Sequence, residues 1–300
     1  MSPLKHLLSS AYYAATLPVR RRAAADRAAR GMEPVSVLFY HRVADKTPND
    51  WTMPTATFVA QILWLKKRFE IVDLAEAQRR IAAGRNSRPT ACITFDDGYA
   101  ENMEFAVPLL LREQVPFTYF VSTNHVFASR PFPHDVAAGV SLAPNSVSQL
   151  RELAAKGVEM GAHTRNHVHL GAVSHEQMVD EIVGSKHDLE RALEREVSYF
   201  AVPYGLPADL STAAFQIAYN AGYHGVCSAY GDYNLPGDDP FHLRRVHADC
   251  ELVRLKNWLT VDPRKLRHRV DFNPGDFRRD FAPPVCLDAV ILSSGLVQHE

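Results

Sequence analysis

From about residue 35 the chain alternates short apolar runs with amphipathic segments, one strand–helix unit every ~25 to 40 residues. That rhythm constrains the fold more than any other feature. A strand, a helix and a second strand running the same way build a parallel sheet, either open and doubly wound or closed into a barrel. The 300 residues, 46% of them hydrophobic, suffice for one such domain with tails, because a strand–helix barrel takes about 250 residues.

The units can be placed by period and by turn residues. Val35 to Val43 is β-branched and aromatic, the pattern of a buried strand, and Phe58, Ile62, Leu65 and Phe69 then recur at helical spacing. Ile71 to Leu74 and Ala91 to Phe95 are predicted strands around a helix that ends near Gly84. Phe105 to Gln114 is helical, with Pro108 marking a bend or a late start. After a strand at Phe117 to Ser122, the stretch Thr123 to Asn145 is rich in Pro, Ala, Ser and Gly and predicts a long functional or disordered loop. Helices at 147–156, 174–196 and 208–221 then alternate with strands at 158–163, 198–202 and 224–229, and Ser174 with Gln177 forms a capping box. Phe241 to Val246 is a last strand and Glu251 to Leu259 a last helix. The domain layout expected is an N-terminal basic, amphipathic segment at 1–34, a catalytic domain at 35–262 and a tail at 263–300.

In both architectures the working residues gather at the carboxyl ends of the strands. Few positions pass that filter. Ala91 to Phe95 ends in Asp96-Asp97-Gly98, Val158 to Ala162 ends in His163-Thr164-Arg165-Asn166-His167, Ser198 to Val202 ends in Pro203-Tyr204-Gly205, and Val37 to Tyr40 ends in His41. Two adjacent carboxylates closing an apolar strand repel each other and resist burial, and a divalent cation relieves both problems. Histidines at i and i+4 on a strand-to-helix turn can face one cation, and Asp plus two His with an open position is the ligand set of catalytic zinc. Taken alone, Asp-Asp-Gly and Pro-Tyr-Gly are ordinary turns and HxxxH an ordinary helical pair. Closing successive strands of one α/β pattern, they point together to a hydrolytic site.

Thr94-Phe95-Asp96-Asp97-Gly98-Tyr99, His163-Thr164-Arg165-Asn166-His167 and Pro203-Tyr204-Gly205 resemble, in order and spacing, the first three motifs of the polysaccharide deacetylases, the NodB-like group or carbohydrate esterase family 4. Leu38-Phe39-Tyr40-His41-Arg42-Val43 is similar to the first strand of members acting in exopolysaccharide synthesis, and the resemblance covers roughly residues 35 to 250. It implies a distorted (β/α)7 barrel and a metal-dependent hydrolase that removes N-acetyl groups from a polysaccharide or lipid-linked glycan precursor. Asp96 matches the general base; Asp97, His163 and His167 match the ligands of a divalent metal, Zn2+ by family habit. Tyr204 matches the residue whose backbone N–H holds the oxyanion, with Pro203 fixing its turn and expected to contact substrate. The family's third motif carries an arginine that orients the base, and Ala201 stands there in this chain, so Arg244 or Arg245 on the last strand becomes its candidate replacement, with Arg245 also expected near substrate. The late Leu-x-His motif, source of the proton donor, has no clean counterpart; His247 is nearest, and His41 is a second donor or a substrate contact. His134-Asp135 in the long loop is a further possible substrate contact. Alternatives are a related O-deacetylase or amide hydrolase, and a catalytically weak carbohydrate-binding relative.

Charge narrows the partners. A formal net charge of −1 leaves no strong electrostatic attraction toward nucleic acid. Cys92, Cys227, Cys250 and Cys286 are scattered and form no CxxC pair, which argues for free thiols in a reducing compartment. Leu4, Leu7, Leu8, Ala11 and Ala15 share a helical face ahead of Arg20, Arg21 and Arg22. This is the wrong order for a secretory signal and too short an apolar run for a span. The segment is either a docking or poorly ordered helix or a peripheral contact with an anionic membrane surface, so the expected location is cytoplasmic, at the membrane periphery if that contact forms.

Overall fold

The computed structural model describes residues 3–262, 264, 266, 270, 272–275, 277 and 278. The expected tail, with Cys286, therefore lies largely outside the described residues.

The central sheet is parallel throughout. Its strands are β1 (Val35–Tyr40), β2 (Thr90–Phe95), β3 (Thr118–Val121), β4 (Glu159–Ala162), β5 (Tyr199–Ala201), β6 (Gly225–Cys227), β7 (His242–Leu243) and β8 (Arg245–His247). In space they run β7-β6-β5-β4-β3-β2-β1-β8. β1 and β2 are buried at every residue, as strands covered on both faces must be, which explains their unbroken apolar runs.

The two edges of this sheet are consecutive pieces of chain. His242 and Leu243 pair with Val226 and Cys227, whereas Arg245 pairs with Val37 and His247 with Phe39. The strand expected at Phe241 to Val246 is thus divided at Arg244, and the division closes the sheet into the distorted (β/α)7 barrel. At the crossing neither neighbour serves the backbone of Arg244. The Asn234 side chain does so instead, accepting from the Arg244 N–H at 2.8 Å and donating to its carbonyl at 2.8 Å.

Two apolar layers follow from the alternation of side chains along each strand. Leu38, Tyr40, Ile93, Phe95, Tyr119, Val121 and Phe200 face outward against helices α2 (Thr55–Arg68), α4 (Ala106–Arg112), α5 (Val147–Ala155), α6 (His175–Leu193), α7 (Thr212–Asn220) and α8 (Leu252–Leu259). Val35, Val37, Cys92, Phe120, Tyr199, Cys227 and Leu243 face inward. The inner layer is completed by Leu74, Ala77 and Ile81 of α3 (Leu74–Ala82), spaced i, i+3, i+7 on one helical face. Helix α3 is therefore a plug for the amino-terminal end of the barrel. Gln78 anchors it, donating to the carbonyls of His224 and Pro240 and accepting from the Tyr199 hydroxyl. The opposite, carboxyl end stays open.

Several expected boundaries move for local reasons. The strand expected at Ile71 to Leu74 pairs only as Glu70–Ile71, because Asp73 accepts from the Glu76 N–H at 2.8 Å and caps α3 one residue later. Pro108 sits in the first turn of α4, where a missing N–H is harmless, so the helix starts late and does not bend there. Ser174 caps α6, but the reciprocal capping box forms instead at Ser146 and Gln149 on α5. Glu194, in the left-handed conformation at φ 53°, ends α6 at Leu193. Residues 208–221 divide into a 3-10 turn at Pro207–Asp209 and α7. The long loop is folded: it holds two helical turns, Thr123–Phe127 and Pro133–Ala137, pinned by the fully buried Phe132. The amino-terminal segment is one helix, α1 (Pro3–Arg30), with the buried Arg20 on its docked side.

His242, beside the closure, makes stability depend on pH. Its ring is buried against Phe215 and contacts Ser228 Oγ at 3.0 Å; burial, reinforced by Arg244, pushes its pKa down to about 3. A depressed histidine contributes stability above its unfolded value of about 6.5, and that contribution is lost as pH falls from there toward the folded value. Between pH 6.5 and 5, wild type should lose about 1.6 kcal/mol more unfolding free energy than His242→Gln, because the unfolded ring goes from half to almost fully protonated while the folded one stays neutral. Denaturant titrations at both pH values measure the difference, and parallel losses would exclude His242 as the source.

Candidate active site

The open end of the barrel is where β2 delivers its two aspartates. Asp96 still belongs to the ladder, its N–H donating to the Tyr40 carbonyl at 2.8 Å. Asp97 then turns left-handed at φ 71°, and Gly98 follows at φ 86°. This reversal points adjacent carboxylates in different directions. Gly98 cannot be replaced cheaply, because a Cβ there would lie 2.7 Å from Val121 Cγ1.

Asp96 faces the barrel interior and meets Arg245 of β8. The guanidinium donates to both carboxylate oxygens, at 2.7 and 2.8 Å, and also to Thr94 Oγ1 and the Ser228 carbonyl. Both partners are buried. Burial alone would raise the Asp96 pKa, but Arg245 and then His163 outweigh it and hold the carboxyl below its ordinary range. Of the two arginines considered for orienting Asp96, Arg245 makes the contact; Arg244 pairs with Asp238 and Asp232. Arg245, expected also near substrate, is fully buried with its fork on Asp96, and does not line the cleft.

Asp97 has no such partner. Its Oδ1 is buried without a hydrogen-bond donor among the described residues, 3.2 Å from His167 Nε2 and 3.5 Å from His163 Nε2. The three atoms offered by Asp97, His163 and His167 lie within 4.8 Å of one another. His163 Nδ1 lies 2.8 Å from the Ala201 carbonyl. Because a carbonyl only accepts, Nδ1 carries a proton, which leaves Nε2 as the nitrogen that would offer its lone pair to a cation beside Asp97. One undonated carboxylate oxygen with two imidazole nitrogens converging on it fits a divalent cation that keeps open positions.

The two histidines are not the helical pair that HxxxH taken alone would suggest; they lie in the turn that follows β4. They bracket an irregular loop in which Thr164 and His167 are left-handed, at φ 64° and 55°. Thr164 Oγ1 accepts from the His167 N–H at 2.9 Å. Buried Glu181 of α6 accepts from the Arg165 and Asn166 N–H groups at 2.8 and 2.9 Å and from Asn166 Nδ2 at 2.8 Å. Arg165 lies along the same helix face, donating to Asp188 at 2.8 Å, and a Cβ on Gly184 would fall 2.4 Å from its guanidinium carbon. Sequence reasoning passed over Glu181. Its signal was the Glu181, Gly184, Asp188 stripe at i, i+3, i+7 opposite a charged loop.

Pro203 is buried and shapes a turn, its carbonyl accepting from the Gly205 N–H. It does not line the cleft, whereas Tyr204, left-handed at φ 60° and 42% exposed, does. The Tyr204 ring stacks on His169 at 3.5 Å and meets His167 edge-on at 5.0 Å.

The cleft has a volume of about 570 Å³. Across it from Tyr204 stand His41, Trp51 and His247, with the Trp51 ring 4.7 Å from His41 and 5.9 Å from His247. His41 Nδ1 is buried without a partner. Burial pushes the His41 pKa down to about 4, against the opposing pull of Asp97 and Asp96; burial also lowers His247, whose nearest influences are Asp249 and Arg254. His134 lies on the rim, 3.0 Å from the Tyr99 hydroxyl, which donates to the buried Asp135 at 2.8 Å. Trp51 carries no local pattern and could not have been found before folding.

Arg245→Ala should cost about 3 to 5 kcal/mol in unfolding free energy, since it strands a buried carboxylate, and Arg245→Lys should recover only part of it. A loss below ~1 kcal/mol by chemical denaturation would show that Asp96 does not depend on this arginine.

Residues 83–226 match the polysaccharide deacetylase family. YxkH of Bacillus subtilis (strain 168) is 23% identical over 171 residues, and the match covers 56% of this chain and little more than half, 56%, of YxkH. The poly-beta-1,6-N-acetyl-D-glucosamine N-deacetylase of Staphylococcus aureus (strain MSSA476) is 24% identical over 226 residues, 69% of this chain and 75% of that one. In fold, IcaB from Ammonifex degensii superposes with a TM-score of 0.65 at 23% identity, covering 76% of this chain and 98% of its own.

Proposed function

We propose that this chain, whose residues 83–226 match the polysaccharide deacetylase family, hydrolyses N-acetyl groups from an N-acetylated glycan, with a divalent metal held by Asp97, His163 and His167. The observation that carries the reading is the division of labour between adjacent aspartates. Asp97 turns an undonated oxygen toward two imidazoles, while Asp96 is turned aside and charged beside Arg245. The borderline donor set suits Zn2+. A cation bound there supplies Lewis acidity toward the acetyl oxygen and lowers the pKa of a water.

The chain's own residues then have separable tasks. Asp96, kept ionised by Arg245, accepts the proton of the attacking water. The Tyr204 backbone N–H faces the charge that develops on the acetyl oxygen. His41 and His247 stand on the far wall as candidate donors to the departing amine. His41 is favoured, because it directly follows Tyr40, whose carbonyl accepts from the Asp96 N–H, and its buried Nδ1 has no partner among the described residues. The Trp51 and Tyr204 rings offer flat apolar surfaces for the faces of a sugar. The substrate class most in keeping with the relatives is poly-β-1,6-linked N-acetylglucosamine.

Wild type should carry about one equivalent of divalent metal and release free amine from acetylated glucosamine oligomers. Asp97→Ala should lose both, whereas Asp96→Asn should keep the metal and lose roughly 10²- to 10⁴-fold in rate. Elemental analysis with an amine assay decides it, and metal-free active wild type would sink the reading. Between the histidines, His41→Ala should lower kcat at least tenfold more than His247→Ala; the reverse order would move the donor role to His247.

A further inference from the structure

Helix α1 is docked the wrong way round for a helix whose only neighbour is its own domain. Its inward side is mixed, with Tyr12, Tyr13, Leu17 and Ala24 partly buried around a polar anchor. Arg20, 2% exposed, donates to the Asn257 carbonyl at 2.9 Å, to Asn257 Oδ1 at 2.7 Å and to Thr260 Oγ1 at 3.3 Å, and the Tyr12 hydroxyl donates to Asp262 at 3.0 Å. Its outward side is apolar: Leu4, Leu7, Leu8 and Val19 are 65%, 65%, 60% and 64% exposed. At 100° per residue these four share with the exposed Ala11 and Ala15 an arc of roughly 120°. A docked helix ordinarily buries that stripe against the domain. Here water meets it, unless another surface covers it.

The charges on the page select the covering surface. Residues 3–25 contain no Asp or Glu, and Arg21 and Arg22 are exposed at the edge and end of the apolar arc. In a two-fold contact this face would meet its own copy, and because residues 3–25 carry no carboxylate, Arg21 and Arg22 would find no opposite charge on the facing helix segment. An anionic lipid surface attracts them, and an apolar arc flanked by cations is the pattern of an interfacial helix. No helix among the described residues is long and apolar enough to cross a membrane, so the contact is one of lying on the surface.

The direction of α1 makes the contact useful. His6 lies 2.9 Å from Glu251, four residues beyond the cleft residue His247, while Arg20 reaches Asn257 and Thr260 farther down α8. The helix then descends to β1, which starts at the plugged end. Leu4, Leu7 and Leu8 are therefore at the same end of the barrel as the open cleft.

We propose that the outward face of α1, with Leu4, Leu7, Leu8 and Val19 inserted and Arg21 and Arg22 on the headgroups, docks this protein on an anionic membrane surface with its cleft mouth at the bilayer. The proposal does not depend on the reaction carried out in the cleft. The probe is the full chain mixed with phosphatidylcholine vesicles with or without ~30% phosphatidylglycerol, followed by sedimentation. Wild type should pellet with the anionic vesicles and not the neutral ones, and less so as salt rises. Each exposed cation adds roughly fivefold in partitioning, so Arg21→Glu with Arg22→Glu should lower it by more than tenfold. Leu7→Glu with Leu8→Glu should abolish it, with circular dichroism and thermal midpoint near wild type because both side chains are in water. Absence of pelleting with anionic vesicles, or unchanged pelleting of the Leu7, Leu8 variant, would overturn the proposal. So would a concentration-dependent dimer in analytical ultracentrifugation that this variant dissolves while vesicle binding is lacking, which would assign the face to a second copy.

Discussion

The Arg245–Asp96 pair joins the last strand of the barrel to the first turn of the site, and most of the architecture bears on it. The guanidinium enters the interior only because the chain crosses from one sheet edge to the other at Arg244, bringing β8 beside β1 and two strands from the end of β2. Inside, it lies over the Phe39 ring at 5.0 Å and near Phe120 at 5.5 Å, with its remaining N–H groups on Thr94 and Ser228. A pair this deep gives little net stability over an apolar filling of the same shape, since desolvating two charges offsets most of their attraction. What it does give is direction: a forked donor fixes both oxygens of Asp96 and keeps the group charged.

That direction has its complement one residue later. With Asp96 committed to Arg245, the electrostatic load at the end of β2 falls on Asp97, whose oxygen faces two imidazole nitrogens without a donor. An undonated carboxylate oxygen in a buried position costs a few kcal/mol if nothing compensates it. The scaffold is built to sustain the arrangement. Ala201 orients His163, and Glu181 gathers three N–H groups of the intervening loop so that its left-handed residues persist. The supporting groups come from β5 and α6, each contributed by an element other than the one that carries the ligand.

Much of this was legible along the chain. Strand–helix alternation and the turn residues at strand ends determine a parallel α/β sheet and place Asp96, Asp97, His163, His167 and Tyr204 at the carboxyl ends of its strands, because each motif closes its own strand and local periodicity carries the information; its closure into a barrel was implied only by the resemblance. The motifs' resemblance to polysaccharide deacetylases supplied separate roles for the two aspartates. The chain also narrowed the replacement for the arginine missing at Ala201 to two neighbours on one strand, Arg244 and Arg245.

Only the tertiary structure decided between them, because successive residues of a strand face opposite ways and the split at Arg244 cannot be read from an apolar run. The same holds for Trp51 and His41, brought side by side on one wall of the cleft by the parallel pairing of Arg42–Val43 with Thr52–Met53, and for Glu181 beneath the histidine loop. Helix α1 shows the limit most plainly. Its sequence determines an apolar stripe, since 100° per residue is a local property. Whether that stripe faces the domain or the water depends on Arg20 finding Asn257 and Thr260 some 240 residues away, at |i−j| of 237 and 240. Contacts of that separation exist only once the chain has folded.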